Sequence, residues 1–195
     1  VISHVIPTTA LPTTGVGATA ATCNPADVRP FALGLDPHDA LYVGAVCSAE
    51  STGNRHDLQA YVWRFDAGTF TLVFHFPLDY RGYDATGTAN ASLQFNAWTV
   101  PGVTLATYPM PVLSDIAFDN DDLLLGIRDR FGDAQLAFDV SIPKQGWQPG
   151  ADTTGTNFAR GYGDILRACF NGTAWSIEAD GSCGGSVTAG QGGKQ

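Results

Sequence analysis

Lysine is almost missing from this sequence: only Lys144 and Lys194 occur among 195 residues. Combined with a formal net charge of −9, that shortage argues against nucleic acid or an anionic membrane surface as a partner, since both are held by clustered cations. No run of eighteen apolar residues exists, so the chain offers no transmembrane helix. It does not begin with Met and shows no signal-peptide pattern, which fits a processed or excised mature product. Gly-x-Ser-x-Gly elbows, phosphate-binding loops, dinucleotide fingerprints and His-Glu-x-x-His zinc motifs are all missing, so no catalytic residue and no cofactor site is assigned. Asp152-Thr153-Thr154-Gly155 differs from an aspartic-protease Asp-Thr-Gly by an extra Thr and is taken as loop. The sequence is also without a 3.6-residue apolar period in helix-forming residues beyond two turns, which excludes long helices.

What is present suits sheet. Hydrophobic residues make up 44% and aromatics 11%, enough for a packed core rich in strand formers. Twenty-three Gly and eleven Pro interrupt the chain as often as short strands joined by turns require. Charged residues are only 15%, a composition associated with extracellular proteins.

Residues 1–22 stand apart: six Thr, two Pro and His4, with no Asp, Glu, Lys or Arg. They are expected to form an extended arm or linker, either draped over the surface or serving as an edge strand. Residues 23–195 follow as the folded part. Arg29 to Leu35, Leu41 to Cys47, Leu58 to Phe65 and Thr69 to Phe76 are four strand-like runs separated by turns, one antiparallel meander. The second half repeats the opening of the first. Phe31-Ala32-Leu33-Gly34-Leu35-Asp36 through Gly44 matches Ser114-Asp115-Ile116-Ala117-Phe118-Asp119 through Gly126 at a spacing of 82–83 residues, slipping by one residue at the turn. Two more strands, Gly163 to Phe170 and Thr173 to Glu178, meet at Asn171-Gly172, a strong hairpin signal. Two blade-like units therefore cover about 29–77 and 112–180, with long Gly- and Thr-rich segments from Asp79 to Pro111 and from Asp133 to Tyr162. Repeated four-stranded units predict an all-β fold of β-propeller blades, with a β-sandwich as the alternative. Two blades do not close a ring. The expectation is that further polypeptide completes the propeller, from the same chain or from other subunits in a homo- or hetero-assembly.

Several strings, taken as they stand, resemble one known architecture. Arg29-Pro30-Phe31-Ala32-Leu33, Leu41-Tyr42-Val43-Gly44-Ala45-Val46-Cys47-Ser48-Ala49-Glu50, Leu113-Ser114-Asp115-Ile116-Ala117-Phe118-Asp119, Asp129-Arg130-Phe131-Gly132-Asp133 and Gly163-Asp164-Ile165-Leu166-Arg167-Ala168-Cys169 are similar to the propeller-like region of large bacterial surface proteins, which often precedes serine-aspartate-repeat B-type modules. The resemblance spans roughly residues 23–185. It implies an extracellular or cell-surface location and a role in adhesion, matrix or envelope architecture, with no enzymatic activity to carry over. The resembling region normally continues beyond the end of this chain.

Four cysteines fall in two local pairs, 24 and 14 residues apart. The layout favours Cys23–Cys47 and Cys169–Cys183 disulfides over a metal site, because there is no C-x-x-C and no nearby His. Asn90-Ala91-Ser92 and Asn171-Gly172-Thr173 are sequons for N-glycan at Asn90 and Asn171. Asp119, Asp121 and Asp122 crowd carboxylates into one turn, the oxygen density that Ca²⁺ selects, although Asp is also a turn former for local reasons. Asp115, Arg128, Asp129, Arg130 and Asp133 are expected to form an ion-pair network, with paired carboxylates of a sugar hydrolase as the minority reading. Trp98, Tyr108, Trp147 and Tyr162 lie in the long segments, either packed down as small cores or presented to glycan or protein. His4, His38, His56 and His75 are scattered and are given turn or surface roles. The reading is a secreted structural or adhesion module acting through protein contacts, the alternative being a carbohydrate-binding or carbohydrate-active domain.

Overall fold

A computed structural model of the chain describes residues 11, 23–80, 94–98, 108–130, 133, 163–178 and 183. The arm at 1–22 lies outside these residues except for Leu11. The described residues hold eight strands: β1 (Val28–Leu35), β2 (Leu41–Cys47), β3 (Gln59–Asp66), β4 (Thr69–Pro77), β5 (Pro111–Asp119), β6 (Asp122–Asp129), β7 (Asp164–Phe170) and β8 (Trp175–Ile177). They form two four-stranded antiparallel sheets, ordered β1-β2-β3-β4 and β5-β6-β7-β8, each a simple meander. The fold is all-β, with β1 to β4 spanning residues 28–77 and β5 to β8 spanning residues 111–177.

Turn chemistry explains the hairpins. Ala67 and Gly68 both take positive φ, 47° and 88°, the twist that a two-residue connection between right-twisted strands demands. Asp36 closes the β1–β2 turn by accepting from the backbone N–H groups of His38 at 2.8 Å and Ala40 at 2.9 Å. In the second sheet the corresponding turn is one residue shorter: Asp119 pairs with Asp122 across Asn120 and Asp121. Asn120 supplies the positive φ of 55° that Asn tolerates better than most residues. That shortening is the one-residue slip between the copies. The β7–β8 connection is longer than the Asn-Gly pair suggests, because the strands close at Phe170 and Trp175. Asn171 Oδ1 accepts from Thr173 and Ala174 N–H, both at 3.0 Å, so these two residues belong to the turn.

The repeat extends to the irregularities. β1 is bulged between Pro30 and Ala32, after which Ala32 pairs with Gly44; β5 is bulged between Leu113 and Asp115, after which Asp115 pairs with Gly126. Gly44 and Gly126 are thus equivalent, and their β3 and β7 partners, Val62 and Ile165, are equivalent too. Two residues along, on the same face, Tyr42 pairs with Arg64 and Leu124 with Arg167.

This equivalence shows how the sheets meet. The first sheet contributes Ala32, Tyr42, Val46 and Val62 to the main core, and the second contributes Ile116, Leu123, Leu125 and Ile127. By register, Leu123, Leu125 and Ile127 correspond to Leu41, Val43 and Ala45, on the other face of the first sheet. Equivalent sheets therefore pack through opposite faces. Backbones come close at the junction: a Cβ on Gly34 would lie 2.5 Å from the Ile116 carbonyl oxygen, and one on Gly44 would lie 2.6 Å from Leu113 Cδ2. Tyr42 fills the neighbouring space edge-on to Phe118, with ring centroids 4.9 Å apart.

Tyr42 to Cys47 are all buried, as the unbroken apolar run predicts, because the second face of the first sheet is covered as well. There Ala45, Cys47, Tyr61, Trp63 and Leu72 gather with Leu11 and Cys23 in a separate cluster. Burial pushes the Tyr61 hydroxyl up to about 12. The Leu123–Leu125 run is different. A continuous apolar run of this kind predicts a strand covered on both faces, yet β6 alternates, with Leu123 and Leu125 buried and Leu124 half-buried. Among the described residues the second sheet is covered on one face, and Leu124 lies on the other.

Candidate functional site

The acidic turn between β5 and β6 is held by residues of β7 and β8. Arg167 donates to Asp119 Oδ2 at 2.6 Å and to Asp122 Oδ2 at 2.8 Å. The Phe170 N–H reaches Asp122 Oδ1 at 2.8 Å, and Trp175 Nε1 donates to the Asp121 carbonyl at 2.9 Å. The Phe170 N–H and the Arg167 side chain hold the Asp122 carboxyl below its ordinary value, outweighing its partial desolvation. The two aspartates raise the already high value of Arg167 in turn. One guanidinium thus pairs with two of the three acids that the sequence offers to Ca²⁺. Asp122, Cys169 and Cys183 also come within metal-ligand spacing of one another. Both cysteines are spent in a disulfide, however, which leaves one carboxylate as a hard ligand. Arg167 carried no role in the sequence reading. The signal that would have found it is the alignment of Arg64 with Arg167 in the two repeats, which becomes visible only once the strand register is known.

Both disulfides join the locally spaced cysteines. Cys23–Cys47 anchors the segment before β1 to the end of β2, with Cα atoms 5.8 Å apart, and Cys169–Cys183 ties the end of β7 to the segment after β8, with Cα atoms 5.6 Å apart. Closing loops of 24 and 14 residues stabilises the fold by roughly 3 kcal/mol each in the chain-entropy account.

The five residues expected to form one ion-pair network are described in separate settings. Arg128 and Asp133 pair at 2.8 Å, both largely exposed. Asp129 is buried and accepts from the Met110 N–H at 2.9 Å. Asp115 accepts from the adjacent Ile116 N–H, and Arg130 lies over the Trp98 ring, 4.6 Å from its centroid. The physical reason is register: Asp115 pairs with Gly126 and Asp129 with Pro111, so the two carboxylates sit at different levels of the hairpin.

Trp98 is the centre of a different constellation. It is only 5% exposed, which places it in the core rather than on a contact surface. Its Nε1 donates to the Pro111 carbonyl at 2.9 Å, and its backbone N–H donates to the Ser48 carbonyl at 2.9 Å. Arg29 approaches the ring from further away, at 5.8 Å, and pairs with Glu50 at 2.7 Å. Trp98 therefore fastens the end of the first hairpin to the start of β5. Tyr108 also packs against the main core. A third link runs between the sheets. The Tyr80 hydroxyl, raised well above its usual value by burial and then by the Asp164 charge, donates to Asp164 Oδ2 at 3.1 Å. Burial also raises Asp164, against the lowering effect of that hydrogen bond.

Among the remaining sequence candidates, Asn171 is exposed at the β7–β8 turn, His56 pairs with Asp79 at 2.7 Å, His38 is exposed in the β1–β2 turn, and His75 lies on β4 beside Tyr61. Asn90, Trp147, Tyr162, His4 and Asp152 to Gly155 lie outside the described residues. No described helix is long and apolar enough to cross a membrane.

The surface retains four large exposed hydrophobics among the described residues: Phe31, Leu33 and Leu35 on β1, at 57–60%, and Ile165 on β7, at 63%. The first three form one row along an edge strand. Ile165 projects from the outer face of the second sheet, beside Gly126.

No protein-family model matches the sequence, and no solved structure matches it significantly. Two proteins of Dictyostelium discoideum are similar to it. Colossin-A is 32% identical over 161 residues and Colossin-D is 32% identical over 163 residues. These matches take in 82% and 83% of this chain but only 1% and 14% of the respective relatives. The chain thus spans a small part of the length of the curated relatives it matches.

Proposed function

We propose that this chain is an extracellular structural module: two β-propeller-type blades that act through protein–protein contacts within a larger surface or matrix assembly. One observation carries the reading. Equivalent sheets meet through opposite faces, the relation that serial stacking around an axis requires. Two sheets related by a local two-fold would present the same face to each other. The bulges at Pro30/Ala32 and Leu113/Asp115 strengthen the equivalence, since each lies opposite a glycine of the next strand.

The cysteine chemistry supports an extracellular compartment. All four cysteines are oxidised, and such bonds persist in secreted and surface proteins rather than in a reducing cytosol. The similarity to short stretches of much longer colossins, and the resemblance to propeller-like regions of bacterial surface proteins, both fit a module of a larger architecture. Adhesion is the activity such a module would serve. The carbohydrate-binding alternative draws no support from Trp98, whose ring is packed inside. The test is isolation of the native protein under thiol-blocking conditions, with surface biotinylation of intact cells. Extracellular protein carrying Cys23–Cys47 and Cys169–Cys183 is expected. A cytosolic, reduced protein would overturn the reading.

A further inference from the structure

Three of the four exposed large hydrophobics have equivalents that are covered at the junction between the sheets. Leu33 corresponds to Ile116, Leu35 to Phe118 and Ile165 to Val62. Ile116 and Val62 are 4% and 0% exposed, whereas Leu33 and Ile165 are 60% and 63% exposed. The same apolar positions are thus kept where nothing among the described residues covers them.

A second, independent observation concerns glycine. Gly44 is explained by crowding, because a Cβ there would lie 2.6 Å from Leu113 Cδ2 and 2.9 Å from Ala32 Cβ. Gly126, its equivalent, has no such reason. Its φ is not positive, and an added Cβ would find its nearest neighbour, the Asp115 Cβ, at an ordinary 3.4 Å. Glycine weakens a strand and otherwise marks a place where another backbone or side chain approaches closely. Gly34, the other tight position at the junction, is matched by another small residue, Ala117. The outer face of the second sheet therefore keeps the shape of a receiving surface.

We infer that this face, around Ala117, Gly126 and Ile165, docks the Leu33–Leu35 row of a second copy of the chain, repeating between molecules the packing seen between the two sheets. The inference deepens the module reading and rests on it. Leu11 and Cys23 belong to the cluster on the same side of the first sheet, and with them in place the β1 row is still open. The contact is head-to-tail: the row of one copy meets the face of the next, so each molecule has one of each free.

The geometry dictates a mixing experiment on the 195-residue chain, read by sedimentation velocity. Wild type is expected to associate as its concentration is raised through the micromolar range. Ile165→Glu removes the face and leaves the row; Leu33→Glu removes the row and leaves the face. Each variant alone should stay at one protomer mass, 20.5 kDa, while an equimolar mixture should form a heterodimer of twice that mass and nothing larger. A chain carrying both substitutions should pair with neither. Circular dichroism and intact disulfides check folding, and both side chains are exposed, so the fold tolerates the changes. A monomeric wild type, a monomeric mixture, or single variants that still associate would each overturn the docking. None of these outcomes touches the module reading, which fails instead on intracellular, reduced native protein.

Discussion

Replacing Gly34 with alanine would place a methyl carbon 2.5 Å from the Ile116 carbonyl oxygen and 3.0 Å from Ile116 Cβ and Cγ2. The nearest of these is backbone, held by the β5–β6 ladder, so neither partner can rotate away. The two sheets must separate locally or β1 must shift. Overpacking of this kind costs about 1–3 kcal/mol, and a chain of this size loses about 2–4 °C of melting temperature per kcal/mol. Gly44→Ala should cost less, because its closest neighbour is the far end of the Leu113 side chain, at 2.6 Å. Gly126→Ala meets only ordinary contacts, the nearest at 3.4 Å, and should be neutral, or stabilising by about 0.5–1 kcal/mol, since alanine restricts the unfolded chain more than glycine does. The assay is thermal and urea denaturation of dilute protein followed by tryptophan fluorescence. The expected order of destabilisation is Gly34→Ala, then Gly44→Ala, then Gly126→Ala. If Gly34→Ala melts at or above the wild-type temperature, β1 and β5 do not approach so closely and the sheets do not pack through opposite faces.

Trp98→Ala should cost about 3–5 kcal/mol, the range for truncating a buried aromatic; a loss below 1 kcal/mol in urea titration would show that the ring does not fasten the two hairpins. Asp122 titrates below its ordinary value of 3.8 in the folded protein, so its contribution is complete above the unfolded value and is lost as pH falls through the folded one. Asp122→Asn should therefore lower the melting temperature at neutral pH and flatten the acid limb of a melting-temperature profile below about pH 4, and an unchanged acid limb would refute the role of the clasp.

Much of the architecture is legible in residues close to one another along the chain. The strand pattern follows from apolar runs such as Leu41 to Cys47, the tight β3–β4 hairpin from Ala67-Gly68, and the two disulfides from local cysteine spacing. The two units show themselves in the match of Phe31–Gly44 to Ser114–Gly126. These features are set by backbone preference, side-chain alternation and short loop closure, all of which act over a few residues or within one hairpin. The site was less legible. Asp119 and Asp122 could be picked out as a crowded acidic turn, but their cation, Arg167, stands 45 positions beyond Asp122 in the chain, and only strand pairing brings it there. Asp115 and Asp129 lie on adjacent strands of one hairpin, but the register, set by the bulge and the turn, places them at different levels. Trp98 looked like a loop aromatic because its partners, the Ser48 and Pro111 carbonyls and Arg130, come from three different segments. Composition and local pattern determined that this chain makes two similar four-stranded sheets. Which faces meet, which acids find a cation and which apolar residues stay uncovered were decided by tertiary packing, because each depends on distances between segments that no local preference encodes.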